Sequence, residues 1–214
     1  HEDDIARYHG VYEKGWHAIR ERRLERLVEM GMISPDWRLP EMEPTKPWRS
    51  AQHKAWEQRR MEAYAAMVDR MDQGIGKVVR ALEETGQMDN TLILFLADNG
   101  GCAEVLTDQW KRSLHVPHYQ KDGTPLQRGN DVTRFPGPGD TYMSYSAEWA
   151  NASNTPFRYY KHYIQEGGIS TPLIAHWPAG IKSPNRISNQ VGHLIDIMAT
   201  CVDISGAEYP STYK

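Results

Sequence analysis

No stretch of this chain approaches the roughly 18 consecutive apolar residues of a membrane span, so nothing in it reads as a bilayer-crossing segment. Cysteine is nearly absent, with only Cys102 and Cys201. Their positions give no metal-type spacing and no disulfide framework; a single bridge between them stays open, and the redox compartment is undecided. A strong charge of one sign is missing too. The formal net charge of −3 is too small to argue for nucleic acid or for an acidic surface. No internal repeat and no signal-peptide pattern is visible. The chain starts at His1-Glu2-Asp3-Asp4 and stops at Tyr213-Lys214, and both ends are expected to be cuts through a longer protein.

What is present is ordinary globular composition. A length of 214 residues with 39% hydrophobic content suits one large domain or one and a half small ones. The most informative stretch runs from Thr91 to Gly101. Six apolar residues in seven positions, bounded by Asp89-Asn90 and Gly100-Gly101, predict a short, fully buried strand. At its end stand Asp98 and Asn99, followed by two glycines. Asp, Asn and Gly are common turn formers. The same pair also offers the hard oxygen donors that Ca²⁺ or Mg²⁺ takes, at the strand end where open α/β sheets bind ligands.

The rest of the chain alternates helices and isolated apolar runs. Residues 5–30 have helical spacing, with arginines 20, 22, 23 and 26 set among glutamates, the pattern of a solvated face. Gly31 fits a C-cap. Met32 to Trp48, with four prolines, reads as a surface loop. A long helix follows over about 50–84, where Tyr64, Val68, Met71, Ile75, Val78 and Leu82 form a stripe read as core. Gly74 and Gly76 suggest close packing on a neighbour, and Gly86 ends the helix. After Gly101 about fifty residues show no periodicity. Loops of that length are usually functional. His115 and His118 make only a weak metal pair, and Asn151-Ala152-Ser153 is a sequon that matters only in a secreted eukaryotic chain. Ile169 to Trp177 reads as a second buried strand, Pro178-Ala179-Gly180 as a turn, and His193 to Ser205 as a helix closed by Gly206. These elements predict an α/β fold with a largely parallel sheet flanked by helices.

Five segments then stand together: residues 64–72 (YAAMVDRMD), 89–100 (DNTLILFLADNG), 155–161 (TPFRYYK), 166–172 (EGGISTP) and 193–198 (HLIDIM). In this order they resemble the sulfatases of the alkaline phosphatase superfamily, specifically bacterial-type arylsulfatases. The opening 2–8 is similar to the start of a helical insert in these enzymes. The resemblance covers nearly the whole chain. It implies a middle portion, 1–214, of a sulfatase catalytic domain. Residues 1–50 are helical insert and loop, 51–101 helix plus metal-ligand strand, 102–153 active-site loop, and 154–214 lysine segment, strand and helix.

Carried over by motif, Asp98 and Asn99 match the pair that ligates the catalytic cation, Ca²⁺ with Mg²⁺ as the alternative. Lys161 matches the lysine that reaches the substrate's sulfate, a catalytic and substrate-binding role. Glu166-Gly167-Gly168 is expected to be structural. The family's nucleophile is a formylglycine made in a Cys-x-Pro-x-Arg-type motif. Neither Cys102 (Cys-Ala-Glu-Val) nor Cys201 (Cys-Val-Asp-Ile) sits in one, so the nucleophile, the other acidic ligands and the C-terminal subdomain are expected outside this chain. The substrate implied is a sulfate-ester small molecule or a sulfated carbohydrate, and family habit suggests a periplasmic or secreted setting. Two alternatives stay open: a phosphodiesterase or phosphonate hydrolase of the same superfamily, and a non-catalytic fragment or pseudoenzyme.

Overall fold

A computed structural model describes residues 1–42, 45–112, 115–183, 185–209 and 212. Pro44, one of the loop prolines noted above, and the terminal Tyr213-Lys214 lie outside these. The elements, in order, are α1 (Glu2–Ala6), α2 (Gly15–Glu29), α3 (Lys54–Glu84), β1 (Ile93–Leu96) and α4 (Asp108–Lys111). They continue with β2 (Gln127–Arg128), β3 (Thr141–Tyr142), α5 (Ala147–Ser153), α6 (Glu166–Ile169), β4 (Leu173–His176) and α7 (Leu194–Ser205). Two compact units are distinguished, His1–Gly180 and Ile181–Lys214.

The helix ends follow local chemistry. After α2, Gly31 takes φ 69°, and Met32 N–H and Gly31 N–H donate back to Leu27 and Val28 carbonyls. After α3, Gly86 at φ 67° does the same, with Gln87 N–H on Leu82 and Gly86 N–H on Glu83. Both are Schellman closures, which need a left-handed residue just past the helix. The first helical stretch read from the sequence is in fact two helices, because residues 7–14 form turns with Gly10 at φ 79°. In the second unit α7 starts with a capping box: His193 Nδ1 accepts from Ile195 N–H, and the Asp196 carboxylate accepts from His193 N–H.

The core of the first unit is helical and aromatic. Trp16, Met42, Met61, Trp149 and Ala152 are buried together, with Tyr12, Ile19, Trp48 and Tyr145 packed on them. Trp149 is fully buried and meets Tyr12, Trp16 and Trp48 edge-to-face at 5.6, 5.4 and 6.0 Å. Its indole N–H donates to Glu57 at 2.8 Å, and Glu57 in turn pairs with buried Arg60. This burial differs from the stripe expected on α3. The inward residues are Trp56, Arg60, Met61, Glu62, Ala63 and Ala66, whereas Met71 and Val78 are 48% and 61% exposed. The cause is which helix turns meet α1 and the aromatic cluster, a tertiary choice that periodicity does not encode. Gly74 has no atom within 4 Å of a built Cβ and Gly76 only the tip of Arg80 at 3.7 Å, so neither marks close packing.

The sheet also departs from expectation. Among the described residues β1 pairs with β4 antiparallel, Ile93 opposite His176 and Leu96 opposite Leu173. The parallel pair among the described residues is the two-residue β2–β3. A mostly parallel sheet is thus not what these residues form. The chain leaves β1 and returns to β4 at the same end, without the helical crossover that a parallel pair needs. Nor are the strands fully buried: β1 is largely half-buried and β4 exposed throughout.

Charge ties α1 to α3. Asp4 accepts from Arg70 at 2.6 Å, Glu2 from Arg59 at 2.6 Å, and Asp69 from Arg7 at 3.0 Å. The Arg70 and Arg59 hydrogen bonds hold the Asp4 and Glu2 carboxylates below their usual range, and a hydrogen bond from Gln73, with Arg7 and Tyr8, does so for Asp69. A depressed carboxylate stabilises the fold above its unfolded pKa of about 4, and that contribution is lost as pH falls through the folded value. The melting temperature should therefore decline below about pH 4, and Asp4→Asn should make that decline shallower while lowering stability at pH 7. An acid limb of unchanged slope in the variant would remove Asp4 from this account.

Candidate active site around Asp98, Asn99 and Lys161

The turn after β1 is built by close backbone approach. Gly100 N–H donates to the Gly168 carbonyl at 3.0 Å, and a Cβ on Gly100 would lie 1.8 Å from the Gly167 oxygen. A Cβ on Gly101 would lie 2.5 Å from the Tyr145 hydroxyl. On the other side, a Cβ on Gly167 would meet the Arg158 and Tyr159 carbonyls at 2.2 Å, and one on Gly168 the Tyr163 carbonyl at 2.0 Å. Gly167-Gly168 thus have the structural role expected of them, inside the short helix α6. The two glycine pairs press the end of β1 against the segment that leads into β4.

Asp98 is exposed and Asn99 half-buried, with Asn99 Nδ2 donating to Asp98 Oδ1 at 2.9 Å. That contact turns the amide nitrogen inward on the pair and leaves the amide oxygen and the second carboxylate oxygen as donors. An oxygen-only pair of this kind suits a hard divalent cation, which takes six or more oxygens. Two residues cover a minority of that shell. Among the described residues no group of three or more His, Cys, Asp or Glu could hold a metal ion. His118 instead meets Arg128 at 3.0 Å.

Lys161 is half-buried and its segment is joined to this turn. Lys161 N–H donates to the Gly101 carbonyl at 3.0 Å. The next residue, His162, meets Glu104 with Nε2 to Oε1 at 2.8 Å, and Glu104 Oε2 accepts from the Cys102 thiol at 3.3 Å. The His162 hydrogen bond, then that of Cys102, holds the Glu104 carboxyl below its usual range, with the Lys161 charge contributing. Burial pushes the Cys102 thiol up. Tyr145, whose hydroxyl faces Gly101, is pushed up to about 12 chiefly by burial, so it stays a neutral phenol.

Sequence reading missed the residue that joins these pieces. Asn154 Oδ1 accepts from Gly101 N–H at 2.8 Å, and its Nδ2 donates to the Tyr159 carbonyl at 3.0 Å. One amide side chain therefore clamps the turn after Asp98-Asn99 to the loop before Lys161. The neighbouring sequon residue Asn151 is buried, with Nδ2 on the Ala147 carbonyl, which removes it as an accessible acceptor.

Residues 2–207 match the family model described as Sulfatase. This chain belongs to the sulfatase family. It is 32% identical over 211 residues to an uncharacterized sulfatase of Schizosaccharomyces pombe, covering 96% of this chain and 36% of that protein. An arylsulfatase of Klebsiella aerogenes is 31% identical over 207 residues, 95% of this chain and 42% of that protein. A mouse steryl-sulfatase is 29% identical over 148 residues, 69% of this chain and 18% of that protein. The chain thus spans well under half the length of these sulfatases. Membership of the sulfatase family implies an α/β, alkaline phosphatase-like fold.

Filling the glycine contact or cutting the asparagine clamp should loosen this turn. Gly100→Ala should destabilise the protein by at least about 1–3 kcal/mol, since backbone must move. Asn154→Ala should cost about 1–3 kcal/mol by orphaning Gly101 N–H and the Tyr159 carbonyl. Denaturant midpoints equal to the parent's for both would show that the close approach does not hold the turn.

Proposed function

We propose that this chain supplies part of the catalytic centre of a sulfuric ester hydrolase of the arylsulfatase kind. Asp98 and Asn99 act as two of the ligands of a divalent cation, Ca²⁺ before Mg²⁺, and Lys161 as the cation that reaches the sulfate. The observation that carries the reading is the hydrogen bond from Lys161 N–H to the Gly101 carbonyl, which joins the lysine segment to the turn behind the oxygen-donor pair. Family membership, and relatives named arylsulfatase and steryl-sulfatase, support a sulfate ester as substrate, whether a small molecule or a sulfated carbohydrate.

The chemistry fits these residue types. Cleaving a sulfate ester builds negative charge on the leaving oxygen and on the sulfuryl oxygens. A bound divalent ion supplies Lewis-acid stabilisation of such charge. The Lys161 ammonium offers a positive charge for the same purpose, which is worth more where a site excludes water than in bulk solvent. The hydrogen bond from Asn99 Nδ2 to Asp98 Oδ1 engages the amide nitrogen and leaves the Asn99 amide oxygen and the other Asp98 oxygen for the ion. The nucleophile, a formylglycine in this reading, belongs to residues outside this chain, as do the remaining ligands.

A second reading within the superfamily, hydrolysis of a phosphodiester or phosphonate, uses the same oxygen pair and differs at the nucleophile. Rates of the full-length enzyme on a sulfate ester and on a phosphodiester separate the two. In that enzyme Asp98→Ala should abolish turnover and weaken Ca²⁺ binding; unchanged turnover sinks the metal assignment.

The third reading, a non-catalytic piece, describes these 214 residues taken alone, and draws on the lack of a three-ligand group among the described residues. Purified by itself, the chain should show no sulfatase turnover. Measurable turnover would require a nucleophile within it and would refute the division proposed here.

A further inference from the structure

The segment that carries Lys161 is held in an unusual backbone. Tyr159 has φ 68° and His162 φ 82°, left-handed values that residues with a Cβ rarely adopt. Two such residues flank Lys161 within four positions. Outliers of this kind persist only where surrounding contacts over-determine them, and they gather at functional sites.

The contacts that hold each outlier differ. Tyr159 is held by the Asn154 amide on its carbonyl, by stacking on Tyr163 at 4.2 Å and by the Arg158 guanidinium 4.5 Å from its ring. His162 is held by Glu104, Nε2 to Oε1 at 2.8 Å. The other oxygen of Glu104 takes the Cys102 thiol, and Cys102 follows Gly101, whose carbonyl accepts the Lys161 N–H. The contacts close a ring through Gly101, Cys102, Glu104, His162 and Lys161. The lysine is thereby fixed on both sides of its Cα, by its own N–H before it and by the His162–Glu104 pair after it.

That pair does little for stability. The side chains of His162 and Glu104 are 64% and 39% exposed, and polar contacts so open to water contribute little to folding. An exposed pair that maintains a left-handed residue beside a proposed catalytic lysine makes sense as an orienting device.

We infer that Glu104 and His162 are positioning residues for Lys161, fixing the direction in which its side chain leaves the loop toward the sulfate. The inference rests on the reading of Lys161 given under Proposed function. The two groups act through contacts within the lysine's loop, so their effect should fall on the rate of the chemical step.

The test uses the full-length enzyme with an aryl sulfate, measuring kcat, KM and melting temperature for Glu104→Ala, His162→Gly, His162→Gln and Lys161→Ala. Glycine relaxes the left-handed backbone and deletes the pair, whereas glutamine keeps a donor with the reach of Nε2. Glu104→Ala and His162→Gly should each lower kcat about 10-fold, as a modest misplacement of a catalytic group does, with KM and melting temperature little changed. His162→Gln should restore most of the rate. Parent-like kcat in Glu104→Ala and His162→Gly, beside a crippled Lys161→Ala, overturns the positioning role and leaves the lysine assignment standing. A kcat loss that merely tracks a fall in melting temperature across the variants overturns it too. Full activity in Lys161→Ala removes the underlying reading of the lysine, and this inference with it.

Discussion

The backbone of Gly100 lies against that of Gly167 and Gly168 with no space for a side chain between them. This contact brings the exit of β1 to the entrance of β4, and so makes the pair antiparallel. It sets the loop that carries Lys161 beside the turn that carries Asp98 and Asn99. It also leaves the intervening residues, 102–153, no choice but to depart from and return to one end of the sheet. A methyl group at any of these glycines would act on the sheet, the turn and the lysine loop together.

Around that contact the structure divides its labour. Stability comes from the helical body, where Trp16, Trp48 and Trp149 pack edge-to-face and half-buried Glu57 and buried Arg60 find partners in Trp149 and the Ser144 carbonyl. Placement comes from polar links of modest strength: one asparagine amide, one backbone hydrogen bond and one exposed His162–Glu104 contact. Helices and strands of the first unit hold the ends of the loops, while the loops carry the side chains with chemistry to offer.

Much of this was legible in the sequence where the cause is local. Gly31, Gly86 and Gly206 mark helix ends because only a left-handed residue closes a Schellman or αL cap, and all three do so. The apolar runs at 93–96 and 173–176 are strands, and Glu166-Gly167-Gly168 is a tight structural element. The family followed from five ordered segments. What could not be read is non-local. The pairing direction of β1 and β4 depends on a backbone contact between residues nearly seventy positions apart. The buried face of α3 is chosen by α1 and the aromatic cluster, so the Met71–Val78 stripe was assigned to a core it does not join. Helix α5 hides within the unpatterned loop because seven residues, AEWANAS, are too few to show a period. Asn154 and Glu104 gave no signal at all, since a single sequence does not say which carbonyl or imidazole a side chain will meet.

The β1–β4 ribbon has a consequence for the molecule as a material. Among the described residues it is a two-stranded sheet, and Phe95, Leu173 and Ile174 stand exposed on it. Each outer edge of such a ribbon presents unpaired main-chain groups beside apolar side chains, a template on which other extended chains add. In a crowded solution this is the surface where the chain taken alone would stick to its own copies. Solubilising substitutions, or a co-expressed covering segment, should be directed there and away from the well-packed tryptophan body.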